Sequence, residues 1–200
     1  MSAVFTFYEK QYASVMRRLR MDLDVNYLYH DSRHTEDVIS QVQEIAHREG
    51  VGSHEIALLK LAALYHDTGF LRQRLNHEAM GVRIFLSEAA DSGISQEDKD
   101  HICRLIMVTK IPQQPETLLE AIICDADLDY LGREDFHSIS EFLYLELRSS
   151  GSVDNRMRWD EMQLSFLDNH RFHTESSRKL RIDLLIKNTQ VVRNRLKSGY

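Results

Sequence analysis

Proline and glycine are scarce in this chain: Pro112 and Pro115 are its only prolines, and 200 residues hold eight glycines. So little punctuation, with apolar residues recurring at helical spacing almost throughout, predicts an all-α fold. Cysteine is equally sparse. Cys103 and Cys124 both fall inside apolar helical patterns, which excludes a disulfide framework or a CxxC metal knuckle and leaves two core thiols. Long hydrophobic runs are missing too. The longest, Ile56 to Tyr65, is broken by Lys60 and is too short to span a bilayer. The opening residues MSAVFTFYEKQYASVMRRLR lack the basic stretch, unbroken apolar region and cleavage site of a secretory signal. A reducing cytoplasm and no membrane partner are the expectation. Positive charge is also in deficit: the formal net charge is -6 and the pI about 5.9, which argues against holding duplex nucleic acid through its phosphates. An anionic substrate would need local positive charge, which a bound metal can supply.

The composition, 42% hydrophobic and 28% charged, is that of one ordinary globular domain over residues 1–200. Val38, Val42, Ile45 and Ala46 form a helical stripe that ends at Gly50 and Gly52. Ser53 is expected to cap the next helix, whose Ile56 to Tyr65 section is apolar nearly all round and therefore central. Asn76 is expected to cap a helix bearing Met80, Ile84 and Phe85, and Ser95 with Asp98 resembles a capping box. The segment IPQQP stops that helix. A helix from Glu116 to Leu131 follows, with Gly132 as its C-terminal cap. Helices at about Asp135 to Arg148, Arg158 to His170 and Thr174 to Leu196 complete a bundle, with Trp159 as an anchor among them.

His66 and Asp67 close the apolar stretch IALLKLAALYHDTGF, so two side chains that are costly to bury end the most core-like segment. They need partners. His30 and His34, four residues apart, share one face if their segment is helical, and Asp125 and Asp127 lie near the end of a later helix. Imidazoles and carboxylates from separate helices make a mixed nitrogen and oxygen ligand set for a divalent transition metal. Among ten histidines any one pair is unremarkable; the joint arrangement carries the weight. His47, His54 and His137 have no motif around them and read as surface residues, and His101 reads as exposed. His170 and His173 flank an aromatic turn and suit packing. Arg72, Arg74 and Lys110 lie near the motifs and could meet phosphate, although solvated charge is the simpler reading.

The order H…HD…D, in the contexts YHDSRHTEDV, LAALYHDTGF and CDADLDYLG, resembles the HD-domain phosphohydrolase superfamily. The first context is also similar to the YHNxxHxxDV signature of cyclic-nucleotide phosphodiesterases, with Asp31 in place of their Asn. The likeness runs from Tyr27 to Gly132, with residues from about 133 to 197 resembling the trailing helices of small stand-alone members. It implies a helical bundle of HD type in which His34, His66 and Asp67 bind metal. The fourth ligand is expected in the acidic cluster: Asp127 is favoured by its ADL context, with Asp125 the alternative. Asp67 is also expected to take part in catalysis. By the same likeness His30 protonates the leaving oxygen. His77, in NHEAMGVRIFL, matches a helix that supplies an extra histidine in binuclear relatives, whereas Thr109-Lys110 stands where those relatives have another. The resemblance implies one tight site for a divalent ion (Mn, Co, Ni, Mg, Zn or Fe), with a weaker second site at most. The implied reaction is hydrolysis of a nucleotide or other small anionic phosphoester by metal-activated water. Two other functions share these motifs: a di-iron oxygenase of the same superfamily, and a non-catalytic module that binds a nucleotide or partner.

Overall fold

The computed structural model describes residues 2–199 and contains nine α-helices, two short 3-10 turns and, among the described residues, no strand. The helices are α1 (Ala3–Met21), α2 (Ser32–Arg48), α3 (Ser53–Tyr65), α4 (His77–Glu88), α5 (Gln96–Met107), α6 (Leu118–Asp127), α7 (Phe136–Ser149), α8 (Arg156–Asn169) and α9 (Glu175–Ser198). No described helix is long and apolar enough to cross a membrane. Central α3 packs against α1, α2 and α5, as a helix without a polar face must. Leu59, Leu61, Ala62, Ala63, Leu64 and Tyr65 are wholly enclosed there. A second core, including Tyr130, Leu131, Phe136, Leu167, Phe172 and Leu185, joins α7, α8 and α9, and Tyr29 belongs to it. The chemistry described below lies where these two cores meet.

Several helix ends differ from the sequence expectation. Ser53 is already helical and Gly52 holds the cap position without a side-chain bond, so α3 starts uncapped. Asn76 occupies the N-cap of α4 but in the left-handed region (φ 54°), and its Oδ1 accepts from Lys110 Nζ at 3.0 Å instead of bonding its own helix. Ser95 does cap α5, accepting from the Asp98 N–H at 3.1 Å. The helix expected from Glu116 to Leu131 is shorter: a Thr117/Glu120 capping box starts α6, and beyond Asp127 the chain tightens into a 3-10 turn, Asp129–Gly132. Gly132 is therefore not a left-handed cap. It is glycine because any Cβ there would collide with Arg181 of α9.

Candidate metal centre

His66 and Asp67 leave α3 just as it ends, before the 3-10 turn Thr68–Leu71. That turn lies directly on the start of α4. A Cβ on Gly69 would overlap the His77 carbonyl, so the lack of a side chain lets His77 approach Asp67. His34 enters from the first turn of α2, which Asp31 caps by accepting from the Arg33 N–H at 2.7 Å. Capping is a task that aspartate and asparagine perform about equally well, which accounts for Asp at this place in the motif. His30 lies before α2 and not on it, contrary to the shared helical face expected for His30 and His34.

His34, His66 and Asp127 each present one ligand atom, and these atoms lie within 4.8 Å of one another. His34 Nε2 is 3.3 Å from His66 Nε2 and 3.2 Å from Asp127 Oδ1. His66 Nδ1 donates to the Ala63 carbonyl at 2.8 Å, which leaves its Nε2 lone pair facing the cluster. Asp67 Oδ2 stands 3.2 Å from His66 Nε2 and 3.5 Å from His34 Nε2, and is buried without a hydrogen-bond partner. An orphaned carboxylate oxygen beside inward-facing imidazole nitrogens is a donor set whose chemistry fits a divalent ion. The ionisation reflects the same juxtaposition. Burial opposes charge on His66, but Asp67 and Asp127 outweigh it and hold its pKa well above the usual imidazole value. Burial would likewise raise the two carboxyls, yet the imidazoles outweigh it, lowering Asp67 well below its usual value and Asp127 to about 2.

Asp125 and Asp127 go to opposite sides of α6. Asp125 accepts from the His173 N–H (2.7 Å), the Thr174 N–H (2.8 Å) and the Thr174 hydroxyl (2.7 Å), tying α6 to the start of α9. Its acceptor capacity is taken up away from the cluster. Asp129 is also buried, paired with Arg181 at 2.8 Å and Arg133 at 3.5 Å. None of the three forms a solvated acidic turn. The second oxygen of Asp127 accepts from Gln113 Nε2 at 2.9 Å.

His77 Nε2 lies 3.3 Å from Asp67 Oδ1, its ring stacked on Phe70 at 3.9 Å, and its Nδ1 donates to the Arg74 carbonyl at 3.2 Å. Burial opposes its protonation, but Asp67 prevails and raises its pKa. Thr109 donates its hydroxyl to the Ile106 carbonyl, and Lys110 bonds Asn76, so neither adds an imidazole or carboxylate donor. His30 stacks on Phe70 at 4.4 Å, and its Nδ1 is 2.6 Å from Glu146 Oε1. Glu146 Oε2 also accepts from the backbone N–H groups of Tyr29 and His30 at 3.0 and 3.1 Å. Burial raises Glu146, but His30 and these donors prevail and lower its pKa.

Glu146 was not legible in the sequence, since it lies on α7, outside the motif-bearing stretch. The only available signal was its position on an otherwise apolar helical face. Of the remaining histidines, His54 pairs with Asp98 at 2.9 Å, and His170 packs between Phe166 and Phe172, where burial lowers its pKa to about 4. His30, His66, Asp67, His77 and Asp127 line one cavity of about 260 Å³. No family model, curated protein or solved structure matches this chain.

Proposed function

We propose that this protein is a metal-dependent phosphohydrolase of the HD type, hydrolysing a nucleotide or other small anionic phosphoester. The convergence of His34, His66 and Asp127 from three separate helices, beside the unpartnered Asp67 oxygen, supports this reading above all else. These four residues would hold the tight ion, and His77 with Asp67 offers a weaker second position. A divalent ion there supplies Lewis acidity, polarising a phosphoryl oxygen and making attacking water a stronger acid. Every other part is played by side chains. His30, held by Glu146, is placed to give a proton to the leaving oxygen. Asp67 Oδ1, facing His77 Nε2, can take the proton released by attacking water. Phe70, stacked on the rings of both His30 and His77, keeps both at the cavity wall.

Calorimetric titration of chelator-treated protein with Mn, Co, Ni, Mg and Zn should show one tight site per chain. The same metals should support cleavage of aryl phosphate mono- or diesters. His66→Ala and Asp127→Ala should lose the tight site and at least about a hundredfold in turnover, the range expected when a metal's electrostatic work is removed. Equal metal binding by wild type and both variants would defeat the proposal.

A further inference from the structure

The cavity lining falls into two chemically distinct sets. One is the imidazoles and carboxylates described above; the other includes Leu131, Leu143, Trp159, Met162 and Phe166, from the turn after α6 and from α7 and α8. Outside the cluster Trp159 Nε1 is a single neutral donor, buried without a hydrogen-bond partner, whereas two other polar side chains of the lining are engaged. Gln163 donates to Ser140 Oγ and accepts from Arg195 at 3.5 Å, and the Thr109 hydroxyl is bound to a carbonyl. No lysine or arginine lines the cavity among the described residues, whereas Asp67, Glu78 and Asp127 do.

This lining limits what can bind. A divalent ion would be neutralised by Asp67 and Asp127 alone, and guanidinium groups around the cavity are committed elsewhere: Arg74 leans on Glu146 at 3.6 Å, Arg195 pairs with Asp160 at 2.9 Å, and Arg133 and Arg181 serve Asp129. One phosphoryl group can be accommodated at the ion. Each further phosphate, lying away from the imidazoles, would meet apolar side chains with no lysine or arginine to offset its desolvation. An uncharged flat or apolar body, by contrast, gains from burial against Trp159, Met162 and Phe166.

We infer that the ligand of this site carries a single phosphoryl group on an uncharged body with an apolar face, and that ligands with a second phosphate are rejected. The inference rests on the reading that the cluster holds a divalent ion. Trp159, the only tryptophan of the chain, lines the cavity and reports binding without turnover. The full metal-loaded protein is titrated with inorganic phosphate and with phenyl phosphate and benzene-1,4-bisphosphate in the form of their phosphonate isosteres, whose carbon–phosphorus bonds it cannot hydrolyse, following tryptophan fluorescence with calorimetry alongside. Phenyl phosphate should bind roughly tenfold or more tighter than inorganic phosphate, because the ring is buried, and the bisphosphate roughly tenfold or more weaker than phenyl phosphate. Met162, 38% exposed and therefore tolerant of change, offers the converse test: Met162→Lys should restore binding of the bisphosphate.

The inference is overturned if wild type binds the bisphosphate as well as phenyl phosphate, or phenyl phosphate no better than inorganic phosphate. Failure to bind any metal would defeat the hydrolase reading and this inference with it, whereas a metal-loaded protein that fails the ligand comparison defeats this inference alone.

Discussion

At Asp67 the two carboxylate oxygens have different neighbours, Oδ2 the imidazoles of His66 and His34, Oδ1 that of His77, so one residue couples the tight cluster to the cavity wall. Two residues apart in α6, Asp125 and Asp127 do unrelated work, one as a tether and one as a cluster member. Asp125→Asn should therefore cost stability, roughly 2–3 kcal/mol because charge-assisted bonds to buried N–H groups are weakened, while metal affinity in the folded protein stays within about twofold of wild type. Urea unfolding with calorimetric metal titration separates this from Asp127→Asn, for which the reverse pattern is expected. The histidines and carboxylates also set a pH dependence. His66 has a raised pKa, so in ion-free protein its contribution is complete below about 6.5 and is lost as pH rises through its elevated value. Asp127 has a lowered pKa, so its contribution is present above about 3.9 and fades as pH falls toward about 2. Melting of chelated protein should show stability falling on the alkaline side. Metal affinity should rise over the same interval, since the ion replaces the His66 proton. Alkaline destabilisation that is equal with and without metal would contradict this account.

Among the elements, α7 matters beyond its packing because it carries Glu146 to His30. A buried carboxylate in contact with His30 Nδ1 fixes the orientation of the ring, which the proposed proton donation to a leaving oxygen would require. Glu146→Gln should lower kcat by about ten- to a hundredfold, with KM and tight metal binding unchanged. An unchanged kcat would mean that Glu146 only packs. The 3-10 turn after α3 is comparably specific, since at Gly69 the backbone of one element touches that of the next. Helix boundaries were only partly legible. The Ser95 cap was read correctly, but Asn76 turned outward to Lys110 and Gly132 served close packing against α9. In each miss a distant partner overrode the local preference.

On the scale of the whole molecule, the stretch that carries the motifs is not self-sufficient. Tyr29, Tyr130 and Leu131 pack in the core shared with α7, α8 and α9, and Asp125 and Asp129 take their bonds from Thr174 and Arg181. A chain ending at residue 132 leaves two buried carboxylates without donors and His30 without Glu146. Such a truncated chain should lack cooperative unfolding by circular dichroism and should fail to bind metal tightly. In the intact chain, metal at a hundred times its Kd should add about 2.7 kcal/mol, raising the Tm by roughly 5–10 °C. A well-folded, metal-binding fragment would show that the trailing helices are dispensable to the site.

The sequence by itself determined the helical architecture, because apolar periodicity and scarce breakers are local properties, and it determined which side chains were chemically suited to bind an ion. Tertiary structure alone decided which of them meet. Residues 125 and 127 are about 200° apart around a helix, so only the placement of α6 between α2 and α9 makes Asp127 face His34 and Asp125 face Thr174. Glu146 reaches His30 across 116 positions of chain, a distance over which no local pattern carries information, and burial gives the hydrogen bond between them a weight it would lack in water.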